Sequence, residues 1–285
     1  MKSIKEFRPI YSEHGVTVAK DLFERDELYR FEEVFFRRLL CQAYKMGIVD
    51  SITEPYNAEG LDRIVMAVNA KSKIALDFVV QELREVFSAA KLLTNGRLQS
   101  VFSEVLDCPP DLMKVHMDGI LVNLPQNKTR LYKYHAEQHY YPFRRNFTML
   151  WMPVVREKTV ENGAMLLKIS AHKKNYGFNE YTGFTEVVNH LVDESQAFHQ
   201  LELIDDEIQE FETVACDVGC NQGIIFHQNT PHTSQVNLST TPSYALIIRC
   251  YDYRRDPTLS DRTGVKAYTN DAARGGYPGI RPIPV

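Results

Sequence analysis

Nothing in this sequence approaches the run of roughly 20 apolar residues that spans a bilayer. Its opening residues, Met1-Lys2-Ser3-Ile4-Lys5-Glu6-Phe7-Arg8, are charged where a secretory leader would be apolar. Cysteine is scarce: five, an odd number, lie scattered at 41, 108, 216, 220 and 250. That excludes a disulfide framework and points to reduced thiols in a cytoplasmic protein. Cys216 and Cys220 lack a second Cys/His pair at zinc spacing, so they read as inert thiols rather than as metal ligands. Excess positive charge is missing as well. With 33 Lys+Arg against 37 Asp+Glu the net charge is -4, which argues against nucleic acid or an anionic membrane as a general partner. There is no phosphate-cradling Gly-rich loop, no internal repeat and no convincing linker. What remains is ordinary globular material, 44% hydrophobic and 25% charged over 285 residues, enough for a sizeable core.

The first 110 residues are predicted to be mostly helical. Leu28, Phe31, Phe35 and Leu39 recur at steps of three and four, with Asp26 as N-cap. Ala75, Val79, Leu83, Val86 and Ala90 repeat the pattern as one helix that Asn95-Gly96 stops. Leu98, Val101, Phe102 and Val105 mark another before Cys108-Pro109-Pro110. Residues 50–64, with Pro55, Asn57 and Gly60, read as a loop. Beyond Pro110 the pattern shifts to short apolar or alternating runs at 114–124, 130–141, 147–155, 164–169, 212–215, 223–226 and 244–251. Many short strands in succession favour a closed or sandwiched β architecture. Residues 173–210 interrupt them as an insertion with its own helix or as a lid. The expectation is one domain over 1–285, mainly β of the α+β class. Helices at 1–110 pack outside a β core at 111–255, and an extended tail follows at 256–285.

The chemistry concentrates in Tyr134-His135-Ala136-Glu137-Gln138-His139-Tyr140-Tyr141-Pro142 and in Pro231-His232-Thr233-Ser234. If the first segment is a strand, His135 and Glu137 share a face. An imidazole from a distant strand, His232, would complete a two-His-one-carboxylate set with open coordination positions, the arrangement of non-haem Fe(II) oxygenases. His139 shares that parity and is a candidate substrate contact. Tyr134 and Arg144 crowd the same mouth, together with Tyr132, Lys133, Tyr140 and Arg145. His227 reads as packing, and His116, His172, His190 and His199 have no partner that recommends them.

Ordered landmarks resemble the phytanoyl-CoA dioxygenase-like Fe(II)/2-oxoglutarate oxygenases. They are Gly15-Val16-Thr17-Val18 with Asp21-Leu22-Phe23; His135-Ala136-Glu137 with Asn146 and Trp151-Met152-Pro153; Asn162-Gly163-Ala164 with Ser170-Ala171-His172-Lys173; and Phe226-His227 before His232-Thr233-Ser234. The resemblance implies a double-stranded β-helix, or jelly roll, with iron held by His135, Glu137 and His232. It also implies 2-oxoglutarate and O2 as co-substrates and a small-molecule substrate. Two features depart from the family pattern. Glu137 stands where Asp is commoner. Ser243 stands eleven residues after His232, where an Arg normally grips the far carboxylate of 2-oxoglutarate. Arg249, Lys168 and a single hydrogen bond from Ser243 are the candidate replacements. The expected reaction is hydroxylation of a metabolite, with desaturation, ring closure or epimerisation open. The alternatives are an iron oxygenase using another oxo acid or none, and a non-catalytic jelly-roll sensor of metal or metabolite.

Overall fold

The structure is a computed structural model and describes residues 7–128, 131–140, 146–183 and 198–255. The predicted tail from 256 lies outside the described residues. So do Tyr141, Arg144, Arg145 and His190. The leading helices are α1 (Phe7–His14), α2 (Arg25–Lys45), α3 (Ala58–Lys71), α4 (Lys73–Glu82), α5 (Phe87–Leu93) and α6 (Gly96–Leu106), with strand β1 (Val16–Lys20) between the first two.

Three local expectations need correction. The N-cap of α2 is Glu24, not Asp26: Glu24 and Glu27 form a reciprocal capping box. Residues 58–64 are helix, not loop. Asn57 caps α3 by accepting a hydrogen bond from the Gly60 amide at 2.7 Å, and Leu61, Ile64, Val65 and Val68 give it a buried face. The pattern from Ala75 to Ala90 is broken, because Val86 is extended between α4 and α5. Asn95 starts α6, accepting from the amides of Arg97 and Leu98.

The strands that follow are β2 (Met113–Asn123), β3 (Phe147–Val154), β4 (Leu166–Lys168), β5 (Phe178–Gly183), β6 (Phe198–Leu203), β7 (Thr213–Ala215), β8 (Gln222–His227), β9 (His232–Thr233) and β10 (Ser243–Asp252), with one-turn helices α7 (Glu137–Tyr140) and α8 (Asp205–Ile208). They build a five-stranded sheet in the order β1-β8-β3-β10-β2 and a three-stranded sheet in the order β7-β4-β9. Every ladder is antiparallel. Two facing antiparallel sheets with non-sequential neighbours are the sandwiched β architecture that the strand pattern led us to expect, in the jelly-roll form that the family resemblance implied. The stretch read as an insertion contributes the separate β5-β6 pair and α8.

The two faces of the large sheet bury different cores, which is why β3 is buried at every position. Alternate residues Tyr244, Leu246, Ile248 and Cys250 of β10 join the helical layer in one cluster with Phe31, Phe35, Leu61 and Phe102. The intervening side has Ala245 and Tyr251 packed with Phe147, Met149, Trp151, Leu167, Ile224 and Phe226, between the two sheets. A buried polar joint locks helices to sheet. Arg156 donates to both oxygens of Asp62 on α3 at 3.0 and 2.6 Å, and the Tyr244 hydroxyl donates to the same carboxylate at 2.7 Å.

Candidate metal centre

Of the run expected as a strand, residues 131–140 are described, and they do not form one. His135 makes an isolated antiparallel bridge to His232, each amide donating to the other's carbonyl at 3.0 Å. Glu137 then opens the turn α7. A two-residue alternation therefore cannot bring Glu137 beside His135; the reversal of the chain does. The Gln138 amide anchors that turn to the Gln228 carbonyl at 3.1 Å, and the two glutamine side chains are also hydrogen-bonded to one another. Gln228 Oε1 accepts from the Phe147 amide at 2.7 Å, which ties the turn to β3.

The three side chains nevertheless converge. One ligand atom from each of His135, Glu137 and His232 lies within 4.8 Å of the others. Glu137 Oε1 is 3.6 Å from His135 Nε2 and 3.5 Å from His232 Nε2. Donors about 2 Å from a shared ion stand about 3 Å apart across a right angle, so the spacing suits one small cation. The tautomers suit it too. His135 Nδ1 donates to the Lys133 carbonyl at 2.7 Å and His232 Nδ1 to the Thr230 carbonyl at 3.0 Å. Each ring thereby presents a bare Nε2 lone pair to the common space. The Phe226 ring, 4.8 Å from His232 and edge-on, confines that imidazole.

Charge and burial point the same way. Burial, with the His135 ring beside it, lowers the His232 pKa and keeps the ring neutral, as a ligand must be. For Glu137 burial alone would raise the carboxyl. The close approach of the His135 and His232 rings and the charge of Arg249 outweigh it and hold the group ionised, well below the usual carboxylate range.

Arg249, expected as a candidate clamp for a co-substrate, is found bridging two carboxylates. Its Nη2 donates to Glu137 Oε2 at 2.7 Å, and its Nη1 pairs with Asp118. Asp118 also receives His116 Nε2 at 2.9 Å, and the His116 ring stacks on Tyr251. Sequence reasoning passed over Asp118 and His116. Asp118 is aimed by a β-bulge: the register of β10 against β2 shifts between Ile247 and Ile248, skipping Asp118, next to Gly119 at φ +120°. A bulge has no signature in apolar periodicity, although an Asp-Gly pair inside an apparent strand was a hint.

The remaining candidates spread out. Lys168 lies on the other face of β4 from Leu167, which is opposite His232. Its ammonium donates to the Phe211 carbonyl at 3.2 Å and stands 5.5 Å over the Tyr134 ring. Tyr134 thus packs with Lys168 and Phe211, outside the inter-sheet space. His139 belongs to α7, where strand parity does not apply; its side chain lies outside the described residues. Ser243 is buried at the far end of β10, where its hydroxyl donates to the Asn162 carbonyl at 2.6 Å. His227 is packing, against Tyr11 and His172, and burial with His172 beside it drives its pKa down to about 4.

Comparison with known proteins gives this geometry a setting. The family described as phytanoyl-CoA dioxygenase (PhyH) matches residues 11–243. The peroxisomal phytanoyl-CoA dioxygenase of Mus musculus is 28% identical over 193 residues, 65% of this chain and 52% of that protein. The chain therefore spans about half the length of the curated relative it matches. Among solved structures, EvdO2 from Micromonospora carbonacea var. aurantiaca is 16% identical with a TM-score of 0.51, covering 86% of this chain and 89% of that one. The epimerase SnoN, in complex with Fe3+, alpha ketoglutarate and nogalamycin RO, is 12% identical with a TM-score of 0.56, covering 98% and 93%. At those identities the likeness is one of fold.

Proposed function

Since the chain belongs to the phytanoyl-CoA dioxygenase family, we propose that it is a non-haem Fe(II)- and 2-oxoglutarate-dependent oxygenase that hydroxylates a small molecule. The observation that carries this reading is the convergence of two imidazoles, each with its Nε2 lone pair bare, on one ionised carboxylate. That donor set fits a divalent iron and leaves coordination positions open. The iron–2-oxoglutarate–O2 combination supplies the oxidising power needed at an unactivated C–H bond. The chain's own residues do the rest. His135, Glu137 and His232 would hold the ion. The carbonyls of Lys133 and Thr230 fix the two imidazole tautomers, and Arg249 keeps Glu137 charged and oriented. Phe226 packs edge-on against His232 and belongs with Met149 and Trp151 to one buried apolar cluster, which keeps water from that side of the centre.

The solved SnoN complex holds iron and alpha ketoglutarate together, which supports the same pairing here. Membership of a dioxygenase family favours an enzyme over a sensor. No helix among the described residues is long and apolar enough to cross a membrane. The five cysteines are free thiols, which supports a reducing compartment such as the cytosol. Anaerobic titration with Fe(II) and 2-oxoglutarate tests the proposal: a visible metal-to-ligand charge-transfer band should appear, and air should release succinate. Tight metal binding without the band or succinate would refute the oxygenase and leave the sensor.

A further inference from the structure

Lys158 is the most completely buried cation among the described residues, 1% exposed, and the metal centre does not use it. Its main chain is bridged to Val218 by two hydrogen bonds of 2.9 Å. Its ammonium donates to Ser243 Oγ at 2.6 Å, lies 3.5 Å from the Gly163 carbonyl and stands 5.9 Å from the centre of the Trp151 ring. No carboxylate among the described residues comes within ion-pair distance. Folded proteins rarely bury a charge without an opposite one, because desolvation is uncompensated. Here burial, with Arg156 nearby, pushes the ammonium down to about 7. An ammonium held among neutral acceptors is the environment of a site that takes an anion.

Its position says which anion. Met149 of β3 is opposite both Arg249 and Phe226, and Phe226 touches His232, so this layer is level with the metal centre. Trp151 is the next inward residue of β3, about 7 Å further along the strand. Lys158 reaches over the Trp151 ring from the side of Ser243, which shares the inward face of β10 with Ala245 and Arg249. The Lys158 ammonium therefore lies on the same face of the large sheet as the layer of the metal centre, beside Trp151 and Ser243, the face along which a diacid chelated at one end would extend. The rival cations are committed elsewhere: Arg249 to Glu137 and Asp118, Lys168 on the other face of β4.

We propose that Lys158, held by Ser243, is the cation that receives the far carboxylate of 2-oxoglutarate. The proposal rests on the oxygenase reading above and names the residue that makes the site selective for a dicarboxylate. Ser243 positions it: the hydroxyl accepts from the ammonium while donating to the Asn162 carbonyl, which holds the lysine at the inner end of the space.

The test uses the full chain loaded with Mn(II) without oxygen, so that binding is read without turnover. Wild type, Lys158→Met and Lys158→Arg are titrated with 2-oxoglutarate and with 2-oxopentanoate, which has the same length but no far carboxylate. Trp151, the chain's one tryptophan, reports binding by fluorescence. Calorimetry gives the constants independently of the ring's changed surroundings. Loss of a charge-assisted contact should weaken 2-oxoglutarate roughly 10- to 100-fold in Lys158→Met. Lys158→Arg should restore part of that, and 2-oxopentanoate should bind all three alike. Wild-type affinity of Lys158→Met for 2-oxoglutarate would overturn the assignment while leaving the oxygenase reading standing. Equal weakening of both acids would overturn it too, by showing a role in shape alone. If wild type binds neither acid, the oxygenase reading fails and this inference with it.

Discussion

Replacing Lys158 with methionine should make the ligand-free protein more stable at neutral pH, and the gain should shrink as pH rises. The folded state drops this lysine from its ordinary 10.5 to about 7. Between those values the unfolded chain carries a proton that the folded chain has released, so wild-type stability rises with pH through that window. Below about pH 7 both states are protonated and the burial penalty is complete. At about 1.4 kcal/mol per pH unit its upper bound is about 5 kcal/mol, and local relaxation reduces this to about 2–3 kcal/mol. Methionine matches the length of the lysine stem, needs no partner, and leaves the Ser243 hydroxyl still bonded to Asn162. Urea midpoints of the two proteins from about pH 6.5 to 10, converted with a common m value, measure the gap. It should favour the variant most at the low end and fade toward pH 10. A gap independent of pH, or a wild type more stable at pH 7, would show that the ammonium is not strained by burial and would remove the reason for expecting an anion beside it.

His135→Ala and His232→Ala should each abolish measurable Fe(II) binding by calorimetry, with circular dichroism unchanged; retained affinity would take that residue out of the centre. Arg249→Met leaves buried Glu137 and partly buried Asp118 without their shared cation. It should destabilise the metal-free protein by about 3 kcal/mol in urea, and a loss under 1 kcal/mol would contradict the bridge. Gly163→Ala adds a Cβ at φ +87° that would overlap the Asn123 amide and stand 2.9 Å from the Gln235 carbonyl oxygen. A loss of about 2 kcal/mol is expected from the backbone strain, measured as a drop in thermal midpoint; an unchanged midpoint would mean the loop there yields freely.

The strands β3, β8 and β10 were legible as short apolar runs between turn signals, because a strand buried on both faces is apolar at nearly every position. The helices α2 and α6 were legible because their apolar residues recur with period 3.6. The start of α3 was hidden because Asn57 and Gly60 look like turn residues, while Asn57 in fact serves as the cap. The break at Val86 was hidden because an apolar residue gives no local stop signal. Of the candidate centre, the three side chains that converge, His135, Glu137 and His232, were picked out by their types and order. The supposed reason for the pairing of His135 with Glu137 was a shared strand face, and the real one is a bridge followed by a helical turn.

Sequence alone determined the donor types, their order along the chain and the departure at Ser243, since these are properties of side-chain chemistry and spacing. Tertiary structure decided which cations are free to do what. Arg249 and Lys158 lie ninety-one residues apart, and nothing in their neighbours distinguishes a guanidinium tied to Glu137 and Asp118 from an ammonium buried without an anion. That distinction depends on a bulge that re-aims Asp118 and on two sheets closing over Lys158. Burial and partnership are relations between distant segments, and they exist only once the chain has folded.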